Sequence, residues 1–323
     1  MSARAGSMVV ELVRGTVVES RHTVHAAVVD AGGRLVGRAG DPDFVTFLRS
    51  AAKPFQALPL VADGAAERFG LTSEDLALAC ASHSSAPDQV ERVRAFLARA
   101  GATEAQLACG PHPPLSDAVA ADYTARGVTL TAVHSNCSGK HAGMLALCRH
   151  HGWPADGYAR PDHPVQRRCL AEVSRWTGVP EAAIGTGTDG CGVVCFAVPV
   201  RAMAIAYARL GHRETGNVVT AMMAHPDLVA GRGRPCTEIM TAHPGRVIAK
   251  VGAEGVYAGL LVEEGLGVAL KVEDGHGVAS ALAMAAVLGE LGLALPAGLR
   301  SRPVTSTRGE PVGALRVNGG VLR

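Results

Sequence analysis

The chain has 323 residues, 48% of them apolar, and a net charge of +2 with acidic and basic side chains mixed along its length. That apolar share supports a continuous core and argues against disorder, and the even charge leaves no basic stripe to collect nucleic acid. There is no apolar run of the roughly eighteen residues that a membrane span needs, and Glu11 and Arg14 interrupt the first apolar stretch, so the expected address is the cytoplasm.

In chain order, residues 9–18 and 25–30 read as strands, and Ala31-Gly32-Gly33 turns the chain into a returning strand over 35–38. An extended apolar stretch, Phe44 to Leu48, then runs into a helix. Pro54 is tolerated only in a first helical turn, so that helix should start near Ala51 and leave Ser50 at a strand-to-helix elbow, close to free backbone N–H groups. Ser85-Ala86-Pro87-Asp88 resembles a capping box with Ser85 as N-cap, ahead of a helix with Val90, Val93, Phe96 and Leu97 on one face. Further helices are expected over 164–177 and 200–210. Strand patterns return at 247–251, 256–262 and 267–272, followed by an apolar helix at 279–291 and a last strand at 312–317.

Strands at both ends with helices between predict an α+β fold, a mostly antiparallel sheet built from both termini with an inserted helical region. The whole span 1–323 reads as a single domain with two lobes. Eight cysteines without an export signal read as reduced thiols, most of them packed in the core.

The chemistry starts at Ser50-Ala51-Ala52-Lys53. Lys53 lies three positions after the serine, a spacing that shares one helical face, and a neutral lysine can take a proton from a hydroxyl. Burial and a second cation would favour that neutral form. Two later segments supply companions: Ser82 in Cys80-Ala81-Ser82-His83-Ser84-Ser85, and Lys271 in the apolar strand at 267–272. The β-lactamase and penicillin-binding class uses the same order of serine and lysine motifs, but its Ser-Asp-Asn and Lys-Thr-Gly are absent here. Arg49, beside the proposed nucleophile, is the candidate for a substrate α-carboxylate through its forked guanidinium. His83 and His141 read as packed or hydrogen-bonded histidines.

Three further segments carry a family resemblance: His134-Ser135-Asn136-Cys137-Ser138-Gly139-Lys140-His141-Ala142-Gly143, Gly187-Thr188-Asp189-Gly190-Cys191-Gly192 and Lys250-Val251-Gly252-Ala253-Glu254-Gly255. With Glu19-Ser20-Arg21-His22, the Ser50 segment and the Lys271 strand, the chain resembles the asparaginase II family, the class 3 asparaginases. The resemblance implies a serine β-lactamase/glutaminase-like fold, a homodimer, and hydrolysis of L-asparagine to aspartate and ammonia. It also implies Ser50, Lys53, Ser82 and Lys271 as two tandem Ser-Lys pairs, Asn136 as substrate-binding, and Cys137, Lys140 and Cys191 as a zinc site. Asp189 is a candidate for the substrate α-amino group. Ser85-Ala86, Ser135 and Val194 depart from residues frequent in the family. Another Ser-Lys amidase, a glutaminase, or a non-catalytic amino-acid sensor are the alternatives.

Overall fold

The computed structural model describes residues 8–318 and Leu322. Four strands open the chain, β1 (Met8–Arg14), β2 (Val17–Asp30), β3 (Leu35–Ala39) and β4 (Val45–Phe47). Where the sequence reads as one strand over 9–18, Gly15 takes a left-handed φ of 57° and the chain folds back, so β1 and β2 form a hairpin. Glycine enters that conformation without strain, and no Asn or Pro is there to announce the turn.

The middle of the chain is helical: α1 (Lys53–Ala62), α2 (Ala65–Arg68), α3 (Ser73–Ala79), α4 (Pro87–Arg99), α5 (Asp117–Ala125), α6 (Ser138–His151) and α7 (Pro164–Thr177). Strands β5 (Gly185–Thr188) and β6 (Val194–Pro199) precede α8 (Val200–Arg209), α9 (Gly216–Ala224), α10 (Pro226–Val229) and α11 (Pro235–Ala242). Strands then return as β7 (Val247–Gly252), β8 (Val256–Leu261) and β9 (Leu266–Val272), with α12 (Gly277–Glu290), β10 (Ser301–Thr305) and β11 (Pro311–Asn318) last.

The chain divides into two compact units. The first holds the residues up to Ala51, Ala197–Gly211, and everything from Glu238 on. Its antiparallel sheet runs β10-β11-β1-β2-β9-β8-β7, with β3 also paired to β2, so first and last strands sit side by side and the α+β expectation holds. Every residue of β8 is buried, which means that both faces of the sheet are covered there. Helices α8 and α12 supply the cover. Gly267 sets how closely α8 approaches, since a Cβ there would lie 2.0 Å from the Ala204 carbonyl oxygen.

The second unit, Ala52–Phe196 with His212–Thr237, is mainly helical. Its tightest backbone contact is at Gly139 in α6, where a Cβ would stand 2.3 Å from the Leu78 carbonyl oxygen of α3. Backbone cannot yield as a side chain can. Gly139→Ala should therefore destabilise the protein by about 1–3 kcal/mol, read as a lower denaturation midpoint. An unchanged midpoint would mean that α6 slides freely past α3.

Two local expectations are corrected. The α-helix begins at Lys53, because the chain first makes a 3-10 turn over Arg49–Ala52, with Pro54 still within the first α-helical turn. Ser85 does not cap α4: Ala86 is the N-cap, and the Ser85 hydroxyl instead donates to the His134 carbonyl. The Gln89 side chain takes over the capping role by accepting from the Ser84 and Ala86 N–H groups, both at 3.0 Å.

Candidate active site

In the first unit, the elbow that carries Ser50 is held by its neighbours. Strand β4 ends at Phe47, Leu48 is fully buried, and Arg49 takes a left-handed φ of 50°, rare for a residue with a side chain. Backbone strain of this kind collects where a side chain must be aimed. The Tyr207 hydroxyl of α8 donates to the Ala51 carbonyl at 2.8 Å. On the other side Gly252 lets Leu48 approach, because a Cβ there would lie 2.7 Å from the Leu48 carbonyl oxygen. Ser50 thus occupies the elbow read from the sequence, half-buried. The Ala51 N–H, however, is committed to the Leu48 carbonyl at 3.0 Å, so it is not one of the free donors expected beside the serine.

Lys271 also belongs to the first unit. It faces His25 across the β2–β9 pair, is 8% exposed, and donates to the Glu254 carbonyl. Glu254 itself sits at φ 58°. Burial pulls the Lys271 pKa below its ordinary value, the carboxylates of Glu254 and Asp274 oppose that shift, and the Arg49 guanidinium assists it.

The second unit gathers Ser82 and Cys137 around the Lys53 nitrogen. Lys53 is 1% exposed, and its Nζ donates to the Ala81 carbonyl, to Ser82 Oγ at 3.0 Å and to Cys137 Sγ at 3.2 Å. The serine and the cysteine come from loops more than fifty residues apart, and both loops are stitched together beside the lysine. The His83 N–H donates to the Asn136 carbonyl at 3.2 Å. The His83 ring accepts the Ser85 N–H at Nδ1 (3.1 Å), so its Nε2–H donates to Ser138 Oγ (2.8 Å), which in turn donates to the Val133 carbonyl. Burial, with the charges of Lys53 and Arg234, pushes the His83 pKa down to about 3, so the ring is neutral. His83 is thereby a structural histidine, as expected. His141 is also neutral, its pKa driven far down by burial, and it meets the Tyr158 hydroxyl at 2.6 Å.

The three residues that the resemblance implies as metal ligands converge in the same unit. Lys140 Nζ lies 2.9 Å from Cys191 Sγ, and the thiols of Cys137 and Cys191 are near enough to affect each other's ionisation. Interaction with Cys191, with the neighbouring lysines assisting, holds Cys137 well below the ordinary thiol range, while Cys137 and burial raise Cys191. Burial disfavours the Lys140 charge, yet the two sulfurs outweigh burial and raise its pKa. Cys191 is presented by a tight turn in which the Asp189 carbonyl accepts the Gly192 N–H and the Asp189 N–H donates to Val193, both at 2.8 Å. Asn136 Oδ1 is 2.9 Å from Cys137 Sγ. The two sulfurs are donors that zinc takes, and the Lys140 amine would join them only by giving up its proton, so the fit depends on a metal displacing that proton. Among the described residues, no three His, Cys, Asp or Glu side chains stand together as a ligand group. The other six cysteines are buried free thiols, as expected for small core residues.

One group at this site was not anticipated. Arg234, from the Gly231-Arg232-Gly233-Arg234-Pro235 segment ahead of α11, donates through Nη1 to the Ser82 carbonyl at 2.9 Å. The glycines and arginines of that segment are the only signal the sequence offers for it.

The sequence matches the L-asparaginase II family over residues 10–317. No match emerges among curated proteins. Among solved structures, the chain is similar to a protein of Bacteroides dorei DSM 17855 described as a beta-lactamase, with 15% identity and a TM-score of 0.42 over 79% of this chain and 86% of that one. A beta-lactamase of Mycobacterium bovis gives 14% identity and a TM-score of 0.33 over 79% and 88% of the two chains. Simvastatin synthase of Aspergillus terreus gives 11% and 0.33 over 77% and 86%. Likeness at this level has no weight in assigning the fold, which rests on the strand order above. No helix among the described residues is long and apolar enough to cross a membrane.

Proposed function

Because the chain belongs to the L-asparaginase II family, we propose that it hydrolyses L-asparagine to L-aspartate and ammonia through a covalent ester on Ser50. Neutral Lys53 takes the Ser50 proton as the hydroxyl oxygen attacks the side-chain amide carbon. The tetrahedral intermediate collapses with loss of the amide nitrogen, which leaves as ammonia after Ser82, paired with Lys271, passes it a proton. Water then cleaves the aspartyl ester and restores the serine. Asn136 and Asp189 bind the substrate, Asp189 through its α-amino group. The observation that supports this reading is the buried Lys53 Nζ at 3.0 Å from Ser82 Oγ. A lysine so enclosed, bonded to a hydroxyl, a carbonyl and a sulfur with no carboxylate among these partners, is costly to keep for structure alone.

Ammonia release measured on L-asparagine, L-glutamine and a chromogenic β-lactam tests the substrate. Turnover of asparagine well above the other two is expected. Preference for glutamine or the β-lactam would reassign the enzyme within the Ser-Lys hydrolases, and binding without any product would make it a sensor.

Cys137, Lys140 and Cys191 would hold zinc, and a metal there would add a Lewis-acidic charge for substrate groups. Purified protein should carry about one zinc per chain by elemental analysis, and Cys191→Ser should lose it, because removing one of three protein ligands leaves too few. Equal metal content in both proteins would remove zinc from this site. A cytoplasmic homodimer belongs to the same proposal, and sedimentation tests its dimeric part.

A further inference from the structure

A substrate that is an amino acid brings a negative charge, and the Ser82 loop is bordered by cations. Lys53 reaches it from one side, and Arg234 from another, through the 2.9 Å bond to the Ser82 carbonyl. The segment that delivers Arg234 is fastened to this loop at several points. The Ser82 N–H donates to the Val229 carbonyl at 2.9 Å, and Ser84 Oγ donates to the Ala230 carbonyl at 3.0 Å. Gly231, at φ 132°, lies so close to Ser84 that a Cβ would stand 2.2 Å from its hydroxyl oxygen. Thr237 Oγ1 donates to the Gly231 carbonyl at 2.7 Å, and the Arg234 N–H donates back to the same carbonyl at 3.2 Å.

This framing leaves the guanidinium half-buried, with one backbone carbonyl as its side-chain acceptor and no carboxylate paired to it among the described residues. A guanidinium has five N–H donors arranged as a fork that matches a carboxylate, and partial burial without a counter-ion is unfavourable unless an anion arrives. Arg49 is placed differently: its charge falls on Lys271 in the first unit.

We propose that Arg234 is the specificity-determining residue that binds the substrate α-carboxylate, restricting the enzyme to amides that carry a carboxylate. This rests on the amidohydrolase reading above. The carboxylate is drawn to the remaining N–H groups of Arg234, and the bond to the Ser82 carbonyl keeps that anchor in register with the proton-relaying hydroxyl.

The test compares L-asparagine with 3-aminopropanamide, the same amide without its α-carboxylate. In Arg234→Met, the ratio of kcat/KM for asparagine over that for 3-aminopropanamide should fall about 10- to 100-fold, the size expected for a charge-assisted contact, and mainly through KM. Arg234→Lys, which keeps the charge and loses the fork, should fall between. Equal losses on both amides would overturn the proposal, because Arg234 would then only be holding Ser82. An unchanged ratio would overturn it as well. Calorimetric binding of L-aspartate against 3-aminopropanoate separates this proposal from the hydrolytic reading. Wild-type protein that prefers aspartate through Arg234 but releases no ammonia overturns the reading alone. Protein that binds neither acid, or both equally, overturns the anchor.

Discussion

Replacing Ser50 with alanine is expected to lower ammonia release from L-asparagine by about 10⁴-fold or more while leaving the denaturation midpoint within about 0.5 kcal/mol of the parent. The two halves of that expectation have separate causes. Activity falls because the ester would form on the Ser50 oxygen, the Tyr207 hydroxyl at the elbow being bonded to the Ala51 carbonyl, and polarising groups alone leave only residual catalysis. Stability stays because the elbow is held by groups other than the serine hydroxyl. The Ala51 N–H is bonded to Leu48, the Ala51 carbonyl accepts from Tyr207, and Leu48 is buried against Gly252. Ser50 itself is half-buried, and alanine fits its turn. Ammonia release at the parent rate from Ser50→Ala would remove Ser50 as nucleophile. A lost signal accompanied by a collapsed midpoint would say only that the elbow needs the hydroxyl, and Ser50→Cys, which keeps a nucleophile there, would then decide.

Much of the sheet could be read from alternation and turns. Strands β7, β8 and β9 lie within a residue or so of their expected spans because each is bounded by glycine or charge and is mostly apolar, Lys250 and Lys271 being the exceptions. Helix α7 was legible to the residue, since Pro164 opens it and Gly178, at φ 74°, closes it. The failures come from tertiary partners. Ser85 has the right chemistry for an N-cap, but its hydroxyl finds the His134 carbonyl, 49 positions along the chain, and Gln89 does the capping. The short strand β10 contains Pro303 and forms one edge of the sheet, where proline is tolerated, so its local pattern was weak.

The site divides in the same way. The Ser50 elbow was derivable because Pro54 is a local constraint, and the left-handed Arg49 adds to it. The group around Lys53 was not derivable from spacing. Ser82 is 29 positions away and Cys137 is 84, and nothing in that spacing says that one lysine nitrogen touches both. Cys137, Lys140 and Cys191 came from resemblance alone, and no spacing foretold that Lys140 Nζ stands 2.9 Å from Cys191 Sγ. Arg234 was missed altogether: no spacing or motif tied its glycine-rich segment to Ser82, 152 positions away.

Lys53→Met carries the other large effect. Methionine matches the lysine stem in length and fits an apolar enclosure, so the variant removes the nitrogen with little change of shape. Turnover should fall about 10³-fold, within the range for loss of a general base. Stability should fall too, by about 1–3 kcal/mol, because the buried Ala81 carbonyl loses this donor and Ser82 Oγ loses a partner. Separating these consequences needs the double variant. If Lys53 acts by taking the Ser50 proton, it has nothing to do once the hydroxyl is gone, and Ser50→Ala with Lys53→Met should be no less active than Ser50→Ala alone. Multiplying losses would show instead that Lys53 serves catalysis by a route independent of Ser50, through its bond to Ser82 or to Cys137. The zinc content of Lys53→Met then tells these apart: a lysine that matters through Cys137 alters metal content when removed, and one that matters through Ser82 does not.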